Sequence, residues 1–402
     1  MPDLEKQLAS ASPECDTSRP VFPMPESATN NKSPDSEKDF TAGGIFALTE
    51  KPPGTTGSPE LDTQLHELAC QWTPDARSCD LVAGLLMTGL KIGRDGTGMG
   101  DLKMIHRALR EMRWANKVFH PFRHLRKVTV FGSARTQPGN PEYEAALLFS
   151  QKMVQEGFMV LTGAGDGIMG AAQRGAGREN SFGLNIRLPF EQQANDIIRG
   201  DDKLIDFNYF FTRKLSFVKE ADAFAMFPGG FGTLDELFEA TTLIQTGKAN
   251  ILPLVLVDAP GGNYWTTFIS FLREHLLARG LVAADDLRLF HVTDDVDDAV
   301  SHIRNFYKIF HSYRFVNEKT VFRLKHKLTP AAVEKLNGEF ADLIKVGKIE
   351  QTAALPQEAN EKEIWHLPRL IGTLRRRDFG RLRHLIDCLN AADSIRNTQA
   401  HV

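Results

Sequence analysis

Apolar residues recur along this chain in more than one rhythm, and the change of rhythm predicts the architecture. From about residue 62 to 126, "LDTQLHELACQW" and "LKMIHRALREMRWANKVF" place them at three- and four-residue spacings, the period of amphipathic helices. The texture then turns to short β-branched or apolar runs: "KVTVFGSAR" (127–135), "FMVLTGAG" (158–165), "SFGLNIRLP" (181–189), "ADAFAMFPGG" (221–230) and "ILPLVLVDAP" (251–260). Each run is closed by glycine, proline or polar residues. Helix-length segments at 140–157, 166–178, 209–220 and 233–247 separate them. Strands apolar on both faces and alternating with helices predict a mostly parallel sheet covered on either side, a three-layer α/β core over residues 125–312.

The flanks read differently. Nine of the twenty prolines fall within residues 1–60, among Ser, Asp, Glu and Thr, a composition with too little apolar surface to offset the entropy of ordering. That segment is expected to be disordered, and residues 61–124 to form a helical preface. Residues 313–402 predict a basic α/β extension that opens on one or two strands in "RFVNEKTVFRLKHKLTP". It gathers arginines in "TLRRRDFGRLRHLID" (373–387) on what reads as one amphipathic helix. Those arginines suit a solvated or subunit-facing surface, with an RNA contact as the alternative.

Composition narrows the function classes. A chain of 402 residues that is 42% hydrophobic can bury a sizeable core, and a formal net charge of -3 gives no global pull toward nucleic acid or anionic membrane. Cys15, Cys70, Cys79 and Cys388 are spread out with no C-x-x-C pair, which predicts neither a disulfide framework nor a zinc site. A reducing, cytoplasmic setting follows. No apolar run approaches the roughly 18 residues that span a bilayer, and the N-terminus lacks a basic start followed by an apolar core, so neither membrane insertion nor secretion is expected.

In a doubly wound, Rossmann-like sheet, ligands bind beyond the carboxyl ends of the strands. Three glycine-rich stretches fall there: "FGSAR", "TGAGDGIMG" and "FPGGFGT". Gly165, Gly167 and Gly170 match the dinucleotide fingerprint, but they follow the second strand of the core, and Arg187 stands where a ribose-binding acid is wanted. Close strand-helix packing accounts for them equally well. "PGGFGT" is more specific. Pro228 ends a strand, Gly229 and Gly230 let the backbone approach a ligand, and Gly232 with Thr233 opens a helix whose free amides attract an anion. It lacks the lysine of a Walker loop, so a monophosphate fits better than a triphosphate. Thr233-Leu234-Asp235-Glu236 also reads as a capping box, a purely structural role for Glu236. Upstream, at 100° per residue, Arg213 shares a helix face with Phe210 and Phe217, so its guanidinium either snorkels or points into a ligand site.

The stretch "FFTRKLSFVKEADAFAMFPGGFGTLDE" (210–236) resembles the LOG family of cytokinin riboside 5'-monophosphate phosphoribohydrolases, whose signature couples an Arg-Lys pair to P-G-G-x-G-T-x-x-E. "VFGSAR", "TGAGDGIMGAAQRGA", "GLNIRLPFEQQAN" and "TTLIQTGK" support the resemblance in the same order, over about 125–300. The resemblance implies catalytic roles for Arg213 and Glu236. It also implies substrate contacts from Lys214, Gly229, Gly230, Phe231, Gly232, Thr233, Thr242, Ser133, Gly165 and Glu191, with no cofactor and no metal. A homodimer or larger homo-oligomer with sites near the subunit interface is implied as well. Ala164 departs from the family's glycine, and both flanks exceed the minimal member. The family's frequent label, lysine decarboxylase, does not suit this chain, because that chemistry uses a pyridoxal-phosphate lysine and no S-x-H-K stretch occurs.

The expected reaction is hydrolysis of the N-glycosidic bond of a nucleoside 5'-monophosphate, AMP-like or a cytokinin ribotide, to free base and ribose 5-phosphate. Its rivals are a non-catalytic nucleotide or cofactor carrier on the same fold, an RNA-binding protein acting through the tail, and a dinucleotide oxidoreductase.

Overall fold

The computed structural model describes residues 54–188 and 193–395. The expectation of disorder over residues 1–60 therefore falls largely outside the described residues, and so does Glu191.

Three helices come first: α1 (Pro59–Trp72), α2 (Ala76–Arg94) and α3 (Met99–Phe119). Ser58 and Asp75 cap α1 and α2 by accepting from backbone amides, as short polar side chains do at helix starts. The cysteine expectation is corrected here, because Cys70 of α1 and Cys79 of α2 are joined in a disulfide. Nothing in the local spacing signals it; the two residues meet only because the turn between the helices folds one onto the other.

The α/β core follows: β1 (Lys127–Phe131), α4 (Pro141–Gln155), β2 (Met159–Thr162), α5 (Ile168–Ala176), β3 (Ser181–Ile186), β4 (Leu204–Phe207), α6 (Phe210–Glu220), β5 (Ala223–Met226), α7 (Phe231–Gln245), β6 (Leu254–Val257), α8 (Tyr264–Phe271), β7 (Phe290–Thr293) and α9 (Val296–Phe306). The strands form one seven-stranded sheet in the order β4-β3-β2-β1-β5-β6-β7, with every pairing parallel. This is a doubly wound α/β fold. The central strands β1, β2, β5 and β6 are buried at every residue, the condition for a sheet covered on both faces. Two strands had no counterpart in the sequence pattern, β4 and β7, the two edges of the sheet. In β4 buried Ile205 and Phe207 alternate with more exposed residues, and β7 is half-buried throughout, so neither carries a continuous apolar run.

The order reverses at β1, which pairs with β2 on one side and β5 on the other. The crevice beyond the carboxyl ends of β1 and β5 is the switch point where such folds hold ligands.

Beyond α9 the chain forms β8 (Phe310–Val316), β9 (Lys319–Leu324), β10 (Lys327–Leu328), α10 (Pro330–Glu339), β11 (Ile344–Thr352), β12 (Arg369–Leu374), α11 (Phe379–Ala391) and β13 (Ser394–Ile395). An antiparallel sheet runs in the order β11-β12-β9-β8, and β10 pairs with β13. The one or two strands expected at its start are β8 and β9. One hydrophobic cluster runs from Val128 of the parallel sheet to Leu389 of α11, so the extension shares the core. The arginine-rich stretch is divided: Arg375 and Arg377 are exposed, while the arginines of α11 are spent on partners within the chain. Arg383 is buried, stacks on Phe306, and donates to the Leu252 carbonyl and the Asp387 carboxylate. Arg381 pairs with Asp342 and lies over Phe340. Among the described residues no helix is long and apolar enough to cross a membrane.

Candidate functional site

Loops after β1, β2 and β5 meet at the switch point, and glycines let them meet. A Cβ on Gly132 would lie 2.6 Å from Ile168, one on Gly167 (φ +63°) 2.2 Å from the Ser133 carbonyl oxygen, and one on Gly229 2.2 Å from Thr233 Oγ1. Ser133 is the knot: its amide donates to the Pro228 carbonyl and its carbonyl accepts from Ile168 N, both at 3.0 Å. The fingerprint glycines thus serve loop packing. Gly165, also buried, gives its carbonyl to Asn195 Nδ2 at 2.9 Å. Tyr264 of α8, which the sequence did not single out, donates its hydroxyl to the Gly229 carbonyl at 2.7 Å and pins the glycine loop.

Gly230 and Gly232 differ. A Cβ on either would meet nothing within 4 Å, and neither has a positive φ. Packing within the chain does not require glycine at these two positions; open access to the backbone does. Helix α7 begins at Phe231 with Gly230 as its N-cap and no side-chain cap. The capping-box reading is thereby corrected: Thr233 lies within the first turn, and Glu236 is in the second, beyond reach of the cap backbone. The helix starts earlier because Gly230 makes the turn without a side-chain acceptor.

Glu236 is buried, only 3% exposed. Its Oε1 lies 3.3 Å from Lys214 Nζ and 3.4 Å from Arg213 Nη2. Lys214 also meets Asp235 Oδ2 at 2.8 Å. The guanidinium of Arg213, 9% exposed, lies 5.3 Å from the Phe210 ring and 5.6 Å from Phe217, the face its helical spacing predicts. Its Nε is buried without a hydrogen-bond partner, and a Cβ on Gly163 would lie 3.9 Å from its Nη1, so it reaches the β2 loop. Arg213 closes the first turn of α6 and Lys214 opens the second, near the positive end of its dipole, where an anion is favoured. Burial pushes the Glu236 carboxyl above its ordinary range, partly offset by Lys214 and Arg213; burial likewise lowers Arg213.

The remaining candidates are placed less centrally. Thr233 is buried beneath the glycine turn, and Phe231 is 94% exposed at the rim. Thr242 is exposed, six residues along α7 from Glu236, and is not brought to the cluster. A groove of about 670 Å³ opens beside Lys214 between α6 and α7, lined by Tyr209, Phe211, Glu239 and Leu243 among others. Two clusters of metal-ligand type occur among the described residues, His66 with Cys70 and Cys79, and Glu339 with His384 and Cys388; neither includes a rim residue.

With this geometry in hand, known proteins can be compared. A family model described as "Possible lysine decarboxylase" matches residues 169–303, about a third of the chain. The cytokinin riboside 5'-monophosphate phosphoribohydrolase LOG of Oryza sativa subsp. japonica is 27% identical over 169 residues, covering 41% of this chain and 67% of the rice protein. A phosphoribohydrolase of the same description from Mycobacterium tuberculosis is 36% identical over 99 residues, 25% of this chain and 51% of that protein. Over its α/β core the chain resembles the LOG phosphoribohydrolases. The molybdenum cofactor carrier protein of Chlamydomonas reinhardtii is 20% identical, covering 45% of this chain and 96% of that one at a TM-score of 0.32. The relatives point to a hydrolase at the level of the family.

Proposed function

We propose that the protein cleaves the N-glycosidic bond of a nucleoside 5'-monophosphate, adding water to give free base and ribose 5-phosphate. One observation carries the reading: a buried carboxylate, Glu236, shares its oxygen with Lys214 and Arg213 beside a helix N-terminus whose glycines face open space.

The 5'-phosphate is held by the first amides of α7 at Gly230, Phe231 and Gly232, with Thr233 adjoining. Breaking the bond to the base leaves positive charge on the sugar, an oxocarbenium-like state. Glu236 stabilises that charge and takes a proton from the attacking water; the water oxygen bonds to the anomeric carbon as the bond to the base breaks, and the proton held on Glu236 is then passed through solvent to the released base. A carboxyl raised toward neutrality is the stronger base for this step. Arg213 orients the substrate and assists departure of the base, and Lys214 holds Glu236 in place. Phosphate binding remote from the reacting carbon supplies positioning, so a nucleoside without phosphate is a poor substrate.

Phe210, Phe211, Phe231 and Phe238 are exposed around the rim, the kind of surface a second subunit covers, which supports a homo-oligomer. A cytoplasmic setting belongs to the same reading. The test is incubation of the purified protein with a panel of nucleoside 5'-monophosphates and chromatography of released bases, with the plain nucleosides as controls. Return of every nucleotide intact, bound or unbound, would replace the hydrolase with a carrier.

A further inference from the structure

The helical preface reaches the site through one residue. Glu111 of α3 is buried, and among the described residues its carboxylate is engaged only by the start of α6. Oε1 accepts from the Asn208 amide at 2.9 Å and from Asn208 Nδ2 at 2.8 Å, while Oε2 accepts from Thr212 Oγ1 at 2.6 Å. The N-cap residue of α6 is Tyr209, which supplies no side-chain cap. Thr212 and Asn208 flank that cap, and Thr212 immediately precedes Arg213 and Lys214.

We infer that Glu111 is a positioning residue for the Arg213-Lys214 pair, a brace on the start of α6 contributed by a helix about a hundred residues upstream. The inference rests on the proposed reading of the site. Three donors converge on two oxygens, which fixes both the axial position of α6 and its rotation. Rotation matters most: on a helix about 10–12 Å across with its side chains, a 20° turn moves a side-chain tip by roughly 2 Å. Arg213 meets Glu236 at 3.4 Å, so such a turn breaks or remakes that contact. Misplacement by about 1 Å is enough to cost on the order of 10² in rate. The carboxylate has a second effect. It sets a negative charge at the N-terminus of a helix that carries two cations at its fourth and fifth residues, and so offsets the dipole that disfavours them.

The tests use the full chain. Glu111→Ala removes both acceptor oxygens and with them all three hydrogen bonds, and Thr212→Val removes one donor at nearly constant volume. Each is expected to lower kcat for the best 5'-monophosphate by about 10-fold to 10², with a smaller change in KM, because the phosphate turn on α7 is untouched. Glu111→Gln is expected to recover most of the loss. Its carbonyl can accept from Asn208, and its amide can donate to Thr212 Oγ1, which already lies 3.0 Å from the Tyr209 carbonyl. Hydrogen exchange supplies a readout independent of turnover: amides at 208–214 should exchange faster in Glu111→Ala, with those of the β1, β5 and β6 strands unchanged. If the wild-type protein releases base and Glu111→Ala keeps wild-type kcat and wild-type exchange at α6, Glu111 does not position the pair. If the wild-type protein releases no base from any monophosphate, the hydrolase reading fails instead, and exchange at α6 still decides whether Glu111 holds the helix.

Discussion

Glu236→Gln separates a catalytic carboxylate from a structural one. The substitution keeps shape and volume and removes only the charge. In the wild-type fold that charge is buried near two cations, yet each has another neighbour: Lys214 keeps Asp235 at 2.8 Å, and Arg213 keeps the rings of Phe210 and Phe217. Burial raises the Glu236 carboxyl above its ordinary range, so the folded state prefers it protonated. A raised pKa means that its favourable contribution is complete below the unfolded value and is lost as pH rises through the folded one. At neutral pH the wild-type protein therefore carries a cost that glutamine lacks. Leaving a buried cation without its partner destabilises, which opposes the relief of the buried carboxylate, so the variant should unfold within about 1–2 kcal/mol of wild type at pH 7.5. Any advantage should fade at low pH, where both side chains are neutral. Turnover should fall by roughly 10² or more, about 2.7 kcal/mol of barrier. Released base measured by chromatography gives kcat, and urea unfolding at several pH values gives stability. The reasoning is refuted by near wild-type turnover, or by a loss of stability large enough that activity merely follows the folded fraction.

Other expectations follow from single observations. Gly232→Ala should raise stability by about 0.5–1 kcal/mol, because its methyl meets nothing and an unfolded glycine has more freedom to lose. The same methyl obstructs the phosphate turn, so KM for a monophosphate should rise at least about tenfold, measured by initial rates. His302 is lowered from 6.5 to about 3 by burial, with His291 and Arg383 adding to the effect, so its contribution is present above pH 6.5 and lost as pH falls toward 3. His302→Gln should shift the acid-unfolding midpoint, followed by circular dichroism, to lower pH. Ala164 has φ +62° and is buried; Ala164→Gly relieves about 1–2 kcal/mol of left-handed strain against about 0.8 kcal/mol of lost methyl burial and about 0.4–1 kcal/mol of added freedom in the unfolded chain. A net change within about 1 kcal/mol of wild type in urea unfolding is expected; a larger loss would show that the methyl's packing dominates.

The legible parts of this fold are those in which local pattern and tertiary role agree. Val128, Val130, Val160, Leu161, Val255 and Leu256 sit in strands buried on both faces, and nothing but a continuous apolar run satisfies that environment. The face shared by Phe210, Arg213 and Phe217 was legible for the same reason, since helical period alone brings them together. Leu204 to Phe207 and Phe290 to Thr293 were not, because edge strands have one partner and partial exposure. The start of α7 was misplaced because Thr233 advertises a cap while Gly230, which has no side chain to advertise, is the cap. Long-range pairings left no trace: Glu111 meets Thr212 across 101 residues, and Cys79 meets Cys70 across a helical turn. Arg383 looked like surface because a buried arginine is recognised only by its partners, here Asp387, Leu252 and His302.

What makes the cluster coherent is the direction in which a helix throws its side chains. Glu236 lies five residues after Phe231, about 7 Å along the axis of α7, which by itself would set it well behind an anion held at the first amides. Side chains on a helix lean toward its N-terminus, however, so the Glu236 carboxylate returns toward that first turn. Arg213 and Lys214, the fourth and fifth residues of α6, meet it at 3.4 and 3.3 Å. A carboxylate one turn later on α7 would lean to the same side but fall short of the sugar, and one in the first turn would compete with the phosphate for the same amides. The second turn is thus where a phosphate cradle and a base for the anomeric carbon can be built on one helix.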